Sequence, residues 1–299
     1  MLCIYHIADH DGKGSAAIVK SVYPETELLG LNHDMEIPYD EILKHDKIVV
    51  CDIALPVDFM FELNKSKDFT WIDHHVSVIE EYEAKLAKGN VEPIKGIRRV
   101  GTAAMILTWE YFYPNKELPL GIKLLGLNDI FDLKDKRVRA FEYAMQSLGV
   151  NRPTDKVWTE VINSEMDINS MVEKGKAILS YIRNRNFRLV RAEAFVSEFE
   201  GLKCICANMP QGYSEFYDSL DNIKEYDVMV NFFMNKKNCW NLSFYTAKDN
   251  VDVSKIAAKF GGGGHAKAAG ASALKELPEF LRQGKMWVSP KLLNQNNQD

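Results

Sequence analysis

Apolar and polar positions alternate in two distinct rhythms along the first hundred residues. Short apolar runs at Leu2–Tyr5, Glu27–Leu31, Lys47–Cys51 and Phe69–Ile72 read as strands, the third rich in β-branched residues. Helical spacing occupies Gly14–Val22, Pro56–Lys65 and about Val76–Lys88, between or after those runs. Strands that alternate with helices predict a parallel sheet with helices on both faces. From Gly101 to about Arg188 the rhythm is mostly helical. Thr102–Tyr113 has apolar residues at helical spacing, and Ile168–Asn184 predicts a long helix fit to serve as an arm between domains.

A third rhythm follows. Ala192–Phe199, Leu202–Ala207, Val228–Met234 and Trp240–Thr246 predict strands, with Glu200-Gly201 as a turn, and Val253–Phe260 predicts a helix. The fold class expected is α/β: a parallel-sheet N-terminal lobe, then a smaller mixed-sheet α/β C-terminal lobe. The change of pattern puts the boundary near residues 188–191, dividing the chain into 1–188, 189–285 and a polar tail 286–299 that is expected to fray.

Composition narrows the class. The 299 residues are 46% hydrophobic and 26% charged, enough apolar material for folded domains, and the length suits about two of them. The net charge of −5 argues against a protein that coats duplex DNA, which must displace counterions with many cations. It leaves room for a small phosphate-bearing ligand at one local site. The five cysteines have no CxxC spacing and read as free thiols in a reducing compartment. No stretch approaches the ~18 apolar residues of a membrane span, and the start lacks a secretory pattern. A cytoplasmic location without membrane contact is therefore expected.

The charged residues are not scattered evenly. His6, Asp9 and Asp11 follow the first predicted strand, Asp52 the third, and Asp73-His74-His75 the fourth. Ligands of open parallel sheets bind beyond the carboxyl ends of the strands, so these groups should meet in one crevice. A fourth cluster, Asn128-Asp129-Ile-Phe-Asp132, ends a helical stretch. Carboxylates packed this closely repel one another unless a cation neutralises them. Oxygen ligands with a few imidazoles suit Mn²⁺ first, with Mg²⁺ or Fe²⁺ as alternatives. So many ligands suit two ions about 3.5–4 Å apart, with Asp52 as the candidate bridge. Water held by such a pair loses a proton near neutral pH and can attack phosphorus.

Gly261–Gly264 followed by His265-Ala-Lys267-Ala-Ala-Gly270 is the second concentration of unusual residues. Four glycines cost backbone entropy, which points to close approach of the backbone to something, and successive N–H groups can form an anion-binding concavity. His265 and Lys267 add donors, and the Ala-rich segment that follows is compatible with a helix. Gly12-Lys13-Gly14-Ser15 does not meet the Walker A spacing and is set aside.

These residues together resemble the DHH phosphoesterases. Asp73-His74-His75 is that family's name-giving motif, His6-Ile-Ala-Asp9-His-Asp11-Gly is similar to its first motif, Asp52 to its second and Gly126-Leu-Asn-Asp129 to its fourth. GGGGHAKAAG resembles the signature of the DHH-associated C-terminal domain of RecJ-like and nanoRNase-type members. The resemblance implies two lobes with a cleft between them and two Mn²⁺ in the first. It implies His6, Asp9 and Asp52 on one ion, and Asp11, Asp52, His74 and Asp129 on the other, with Asp132 as the alternative to Asp129. Asp73 would orient the site and His75 would face the substrate phosphate, so that Asp52, Asp73 and His75 are the catalytic candidates. Gly263, Gly264, His265 and Lys267 would contact the nucleotide. Many nanoRNase-type members carry an Arg where this chain has Tyr245, a residue that can stack on a base but cannot clamp a phosphate.

The resemblance implies a Mn²⁺-dependent phosphodiesterase that cuts short single-stranded oligonucleotides or small nucleotides, such as 3′-phosphoadenosine 5′-phosphate, to mononucleotides. Cyclic-dinucleotide cleavage and phosphoanhydride or polyphosphate hydrolysis are the alternatives. A homodimer is left open.

Overall fold

The computed structural model describes residues 1–282 apart from 34, 211–213, 218, 219, 221 and 265. The chain forms two compact units, the first being Met1–Leu179 and the second beginning at Ser180. In the first unit β1 (Leu2–His6), α1 (His10–Val22), β2 (Glu27–Leu31), α2 (Tyr39–Leu43), β3 (Lys47–Cys51), α3 (Val57–Ser66), β4 (Asp68–Ile72) and α4 (Val76–Leu86) alternate. α5 (Ala104–Phe112), α6 (Leu120–Asp129), α7 (Arg137–Ser147), α8 (Lys156–Ile162) and α9 (Ile168–Glu193) follow, and α9 runs on past the division between the units.

The four strands pair in the order β2-β1-β3-β4, all parallel. Successive residues of each strand serve two different cores, which is why the strands read as unbroken apolar runs. Ile4, Ile48, Val50, Phe69 and Trp71 pack with Met60, Phe61, Ile79 and Tyr82 of α3 and α4. Cys3, Tyr5, Val49, Cys51 and Ile72 pack with Ala16, Val19 and Leu107 of α1 and α5 on the other face. A third cluster, which includes Ile18, Trp109, Leu124, Phe141 and Trp158, joins α1 to the helices α5 to α8. All five cysteines are free and buried. No described helix is long and apolar enough to cross a membrane.

The second unit holds β5 (Ala194–Phe199), β6 (Leu202–Asn208), β7 (Val228–Met234), β8 (Trp240–Tyr245), α10 (Val253–Ala258), β9 (Gly263–Gly264), β10 (Ala268–Leu274) and α11 (Glu279–Arg282). Its sheet order is β5-β6-β7-β8-β10-β9, with β6 and β7 parallel and the other pairs antiparallel. Phe232, Leu242 and Phe244 pack with Val253, Ile256 and Leu281 on one face. The fold class is thus the expected one, a parallel α/β unit followed by a mixed-sheet unit.

Three local expectations change. α1 begins at His10, four residues earlier than its apolar spacing shows, because Asp9 caps it by accepting from the Gly12 amide at 3.1 Å. The long helix extends to Glu193 rather than Asn184. The Ala-rich segment after the glycines is strand β10, not a helix. Its backbone pairs on both sides, with β8 and with β9, and this outweighs alanine's helix preference.

One stability prediction arises here. A Cβ at Gly175 of α9 would lie 1.7 Å from the carbonyl oxygen of Ala140 in α7. Gly175→Ala gains up to about 1 kcal/mol of helix propensity but forces the two helices apart, at a cost of about 1–3 kcal/mol or more. Its denaturant midpoint is expected to fall, and a rise would show that the crossing can relax.

Candidate metal centre

Parallel register makes the site. Tyr5 pairs with Cys51 and Cys51 with Ile72, so β1, β3 and β4 end side by side. The residues that come next at those ends are His6, Asp52 and Asp73. The Asp52 amide donates to Ile72 O at 3.0 Å, which ties two of the ends together. Asp52 is 2% exposed and has φ of 57°, the left-handed region that Asp tolerates better than most residues. Its backbone leaves the strand abruptly and aims the carboxylate between two histidines. Oδ2 lies 3.6 Å from His6 Nδ1 and Oδ1 lies 3.3 Å from His74 Nε2.

Two sets of donor atoms share this region. In one, His6, Asp9 and Asp52 have ligand atoms within 4.8 Å of one another, and in the other Asp11, His74 and Asp129 do. Asp52, His74 and His75 form an overlapping third set. His74 Nε2 stands 3.8 Å from Asp11 Oδ2 and 3.6 Å from Asp129 Oδ2. The Asp11 carboxylate is pinned, with each oxygen accepting from a backbone amide of α5 (Ala104 and Met105) at 2.7 Å. Asp132 turns instead to Lys134, accepting from its amide at 3.4 Å and standing 3.5 Å from its Nζ, so Asp129 is the member of this loop that faces the histidines.

The electrostatics describe a site short of positive charge. Burial first, then Asp52, Asp129 and Asp9, push the Asp11 carboxyl well above its ordinary range. Burial also drives Asp129 up to about 7, with His74 pulling down and Asp52 pushing up. Burial alone would lower His6, yet hydrogen bonding to Asp52 and Asp9 raises it to about 10. His74 is raised the same way by Asp52 and Asp129, against its burial. Among the described residues, Asp129 Oδ2 is buried without a hydrogen-bond donor. The imidazoles offset the carboxylates only in part, and a divalent cation held by these groups would offset them more fully. Carboxylate oxygens and imidazole nitrogens at this spacing fit hard or borderline divalent ions.

Asp73 has a different place. It is fully buried, and its Oδ1 accepts from the amides of His74 and His75 at 2.7 and 3.2 Å and from His75 Nδ1 at 2.6 Å. Oδ2 accepts from the Trp71 indole at 3.1 Å. With its acceptors engaged, Asp73 holds His75 by Nδ1, which leaves that ring's Nε2 for another partner.

Three neighbours escaped the sequence reading. Asn32 and His33 follow β2, whose end lies beside β1 because the Ile7 amide donates to Leu31 O at 3.0 Å. Asn32 Oδ1 accepts from the His33 amide at 2.8 Å and stands 3.3 Å from His6 Nε2, an arrangement that leaves Nδ1 for Asp9 and Asp52. The His33 ring centroid lies 5.2 Å from that of His6 and 6.3 Å from that of His75. The signal was available, since they stand at a strand end like the others. Glu142 of α7 was not legible. It receives His10 Nδ1 at 3.0 and 3.1 Å and so anchors the residue between Asp9 and Asp11 away from the site.

In the second unit the structure brings Tyr245, Gly264 and Lys267 to one end of the sheet. Tyr245 pairs with Ala268, Gly264 with Ala269, and the Thr246 amide donates to Lys267 O at 3.2 Å. Lys267 Nζ is 2.8 Å from Asp249 Oδ1 and 2.7 Å from Lys248 O. His265 lies outside the described residues. Part of the glycine requirement is internal. A Cβ at Gly262 would meet Gly270 O at 2.0 Å, and Gly264 has φ of 139° with Ala269 Cα at 2.6 Å. A Cβ at Gly263 would meet nothing within 4 Å among the described residues.

The chain is similar to several known proteins. Oligoribonuclease NrnB of Bacillus subtilis is 53% identical over an alignment that covers 93% of this chain and 75% of that protein. The chain belongs to the DHH-family phosphoesterases. The DHHA1 domain matches residues 208–289, most of the second unit. An uncharacterized protein of Acanthamoeba polyphaga mimivirus is 25% identical across 76% of this chain, and the chain spans about half of that relative, 53%. Among solved structures, RecJ of Thermus thermophilus in complex with Mn²⁺ matches at a TM-score of 0.48 and 12% identity, covering 91% of this chain and 49% of that one. The pGpG-specific phosphodiesterase PggH of Vibrio cholerae matches at 0.49 and 12%, covering 91% and 93%.

Proposed function

We propose that this DHH protein is a divalent-metal phosphodiesterase that hydrolyses short oligonucleotides, or related small nucleotides, to mononucleotides. The observation that carries this reading is the Asp52-centred cluster: two carboxylate–imidazole sets at adjoining strand ends, in a chain 53% identical to an oligoribonuclease. His6, Asp9 and Asp52 would hold one ion, and Asp11, Asp52, His74 and Asp129 the second, with Mn²⁺ as the first choice. When bound, such a pair would activate water and stabilise the charge that develops on the phosphoryl and leaving-group oxygens. Asp52 spans the two sets, Asp11 is held rigid by the start of α5, and Asp73 both orients His75 and, against its burial, favours the imidazolium form whose Nε2 can donate to a phosphate oxygen. In the second unit, Gly263, Gly264, Lys267 and Tyr245 would hold the nucleotide, the amides and Lys267 at phosphate and Tyr245 against a base. Lys267 would exchange its contact with Asp249 for the ligand. His265 is proposed for the same role on its sequence position alone.

The net charge of −5 supports a small substrate over a long polyanion. The test is a Mn²⁺ activity panel with RNA of 2–5 nucleotides, longer RNA, cyclic dinucleotides, 3′-phosphoadenosine 5′-phosphate and polyphosphate. The highest kcat/KM is expected on the 2–5-nucleotide RNA. A preference for cyclic dinucleotides or polyphosphate would overturn the proposed substrate class.

A further inference from the structure

The turn that follows Asp129 carries a residue that fold stability does not explain. α6 closes with the Phe131 amide donating to Asn128 O at 3.1 Å and the Asp132 amide to Leu127 O at 2.9 Å. This wrap places Phe131 at φ of 58°, a left-handed helix-ending position usually given to glycine. A side chain there costs about 1 kcal/mol or more. The side chain present is a phenylalanine, and the residue is 61% exposed. The sequence thus accepts two penalties at one position, a strained backbone and an aromatic ring in water. The two coincide at a position two residues from a candidate metal ligand, and backbone strain at such a place can be part of function.

The ring is also held. Arg139 of α7 places its guanidinium 5.1 Å from the Phe131 ring centroid, and its Nη1 donates to Asn128 Oδ1 at 3.3 Å. A cation braced on one face of the ring steadies it and leaves the other face to a flat ligand. We propose that Phe131, backed by Arg139, is the stacking platform for a nucleobase next to the scissile phosphate. The inference rests on the proposed nucleotide substrate and adds a base-recognition residue in the metal-bearing unit. Stacking of this type tolerates every base, which suits a degrader of mixed sequences.

Two measurements test it. Kinetics of Phe131→Gly and Phe131→Tyr would be compared with wild type on a linear dinucleotide and on its abasic analogue. Phe131→Gly is expected to keep or raise Tm, to raise KM for the dinucleotide about 10-fold with kcat within about 3-fold, and to leave KM for the abasic analogue unchanged. Phe131→Tyr should restore the dinucleotide KM. Equal KM changes on both substrates would overturn the proposal. Separately, Phe131→Trp would be titrated with AMP and with ribose 5-phosphate in Mn²⁺. AMP should quench the added fluorescence beyond its effect on wild type, and ribose 5-phosphate should not. Equal behaviour of the two ligands would overturn the platform. Quenching by AMP in a protein that leaves dinucleotides intact would uphold the platform and refute the proposed function.

Discussion

Asp52→Ala is expected to abolish hydrolysis and to strip the site of metal. Asp52 reaches His6 with one oxygen and His74 with the other, and it takes part in both the His6–Asp9 set and the His74–His75 set. Removing it leaves each ion short of a ligand and takes away the one carboxylate placed to bridge them. A fall in kcat/KM of at least about 10³-fold follows, which corresponds to about 4 kcal/mol of lost transition-state stabilisation. Bound Mn²⁺, measured by elemental analysis after desalting, should drop from about two per chain to below one. Asp52→Asn separates charge from shape, because Asn also tolerates the left-handed backbone seen at φ of 57°. It should fold normally and be equally inactive. Full activity in either variant would sink the two-ion reading.

Asp129→Asn is expected to move stability in opposite directions with and without metal. Burial, with Asp52 nearby, lifts the Asp129 carboxyl to about 7 in the metal-free fold, against the pull of His74. A carboxyl raised above its unfolded value favours folding when protonated, so its contribution is present below about pH 4 and is lost as pH rises through about 7. At pH 8 the metal-free wild type therefore carries an unfavourable buried charge that the asparagine lacks. The metal-free variant should melt several degrees above wild type at pH 8, at about 2–4 °C per kcal/mol for a unit of this size, and the gap should shrink by pH 5 and close only near pH 4. Saturating Mn²⁺ should reverse the order, since an ion at 100 times its Kd stabilises wild type by about 2.7 kcal/mol and the variant by less. Scanning calorimetry with and without EDTA at these pH values checks this. A metal-free variant less stable than wild type at pH 8 would show that the carboxylates are not in conflict.

Much of this site could be read from residue order because strand ends are visible in the apolar pattern. Once β1, β3 and β4 were recognised as parallel strands, His6, Asp9, Asp52 and Asp73–His75 had to fall at one edge. Asp129 came from its motif, and the structure separates it from Asp132 by turning the latter to Lys134. Asn32 and His33 were missed although β2 was identified, since a polar pair after a strand gives no sign of which neighbour it will touch. Glu142 could not be found at all, because its partner His10 is 132 residues away and only the tertiary packing of the helices brings the two together.

Local sequence thus determined the two-part α/β class, the strands and the chemical kind of the site. These depend on side-chain periodicity and on residues within one turn of a strand end. Tertiary structure alone decided the rest. It set which oxygen faces which imidazole, that Asp73 accepts from His75 and Trp71, and that an Ala-rich segment becomes a strand. It also put Phe131 in a strained, exposed position beside Asp129. Those outcomes depend on contacts between residues far apart in the chain and on the cost of burying charge, and neither is written in the order of neighbouring residues.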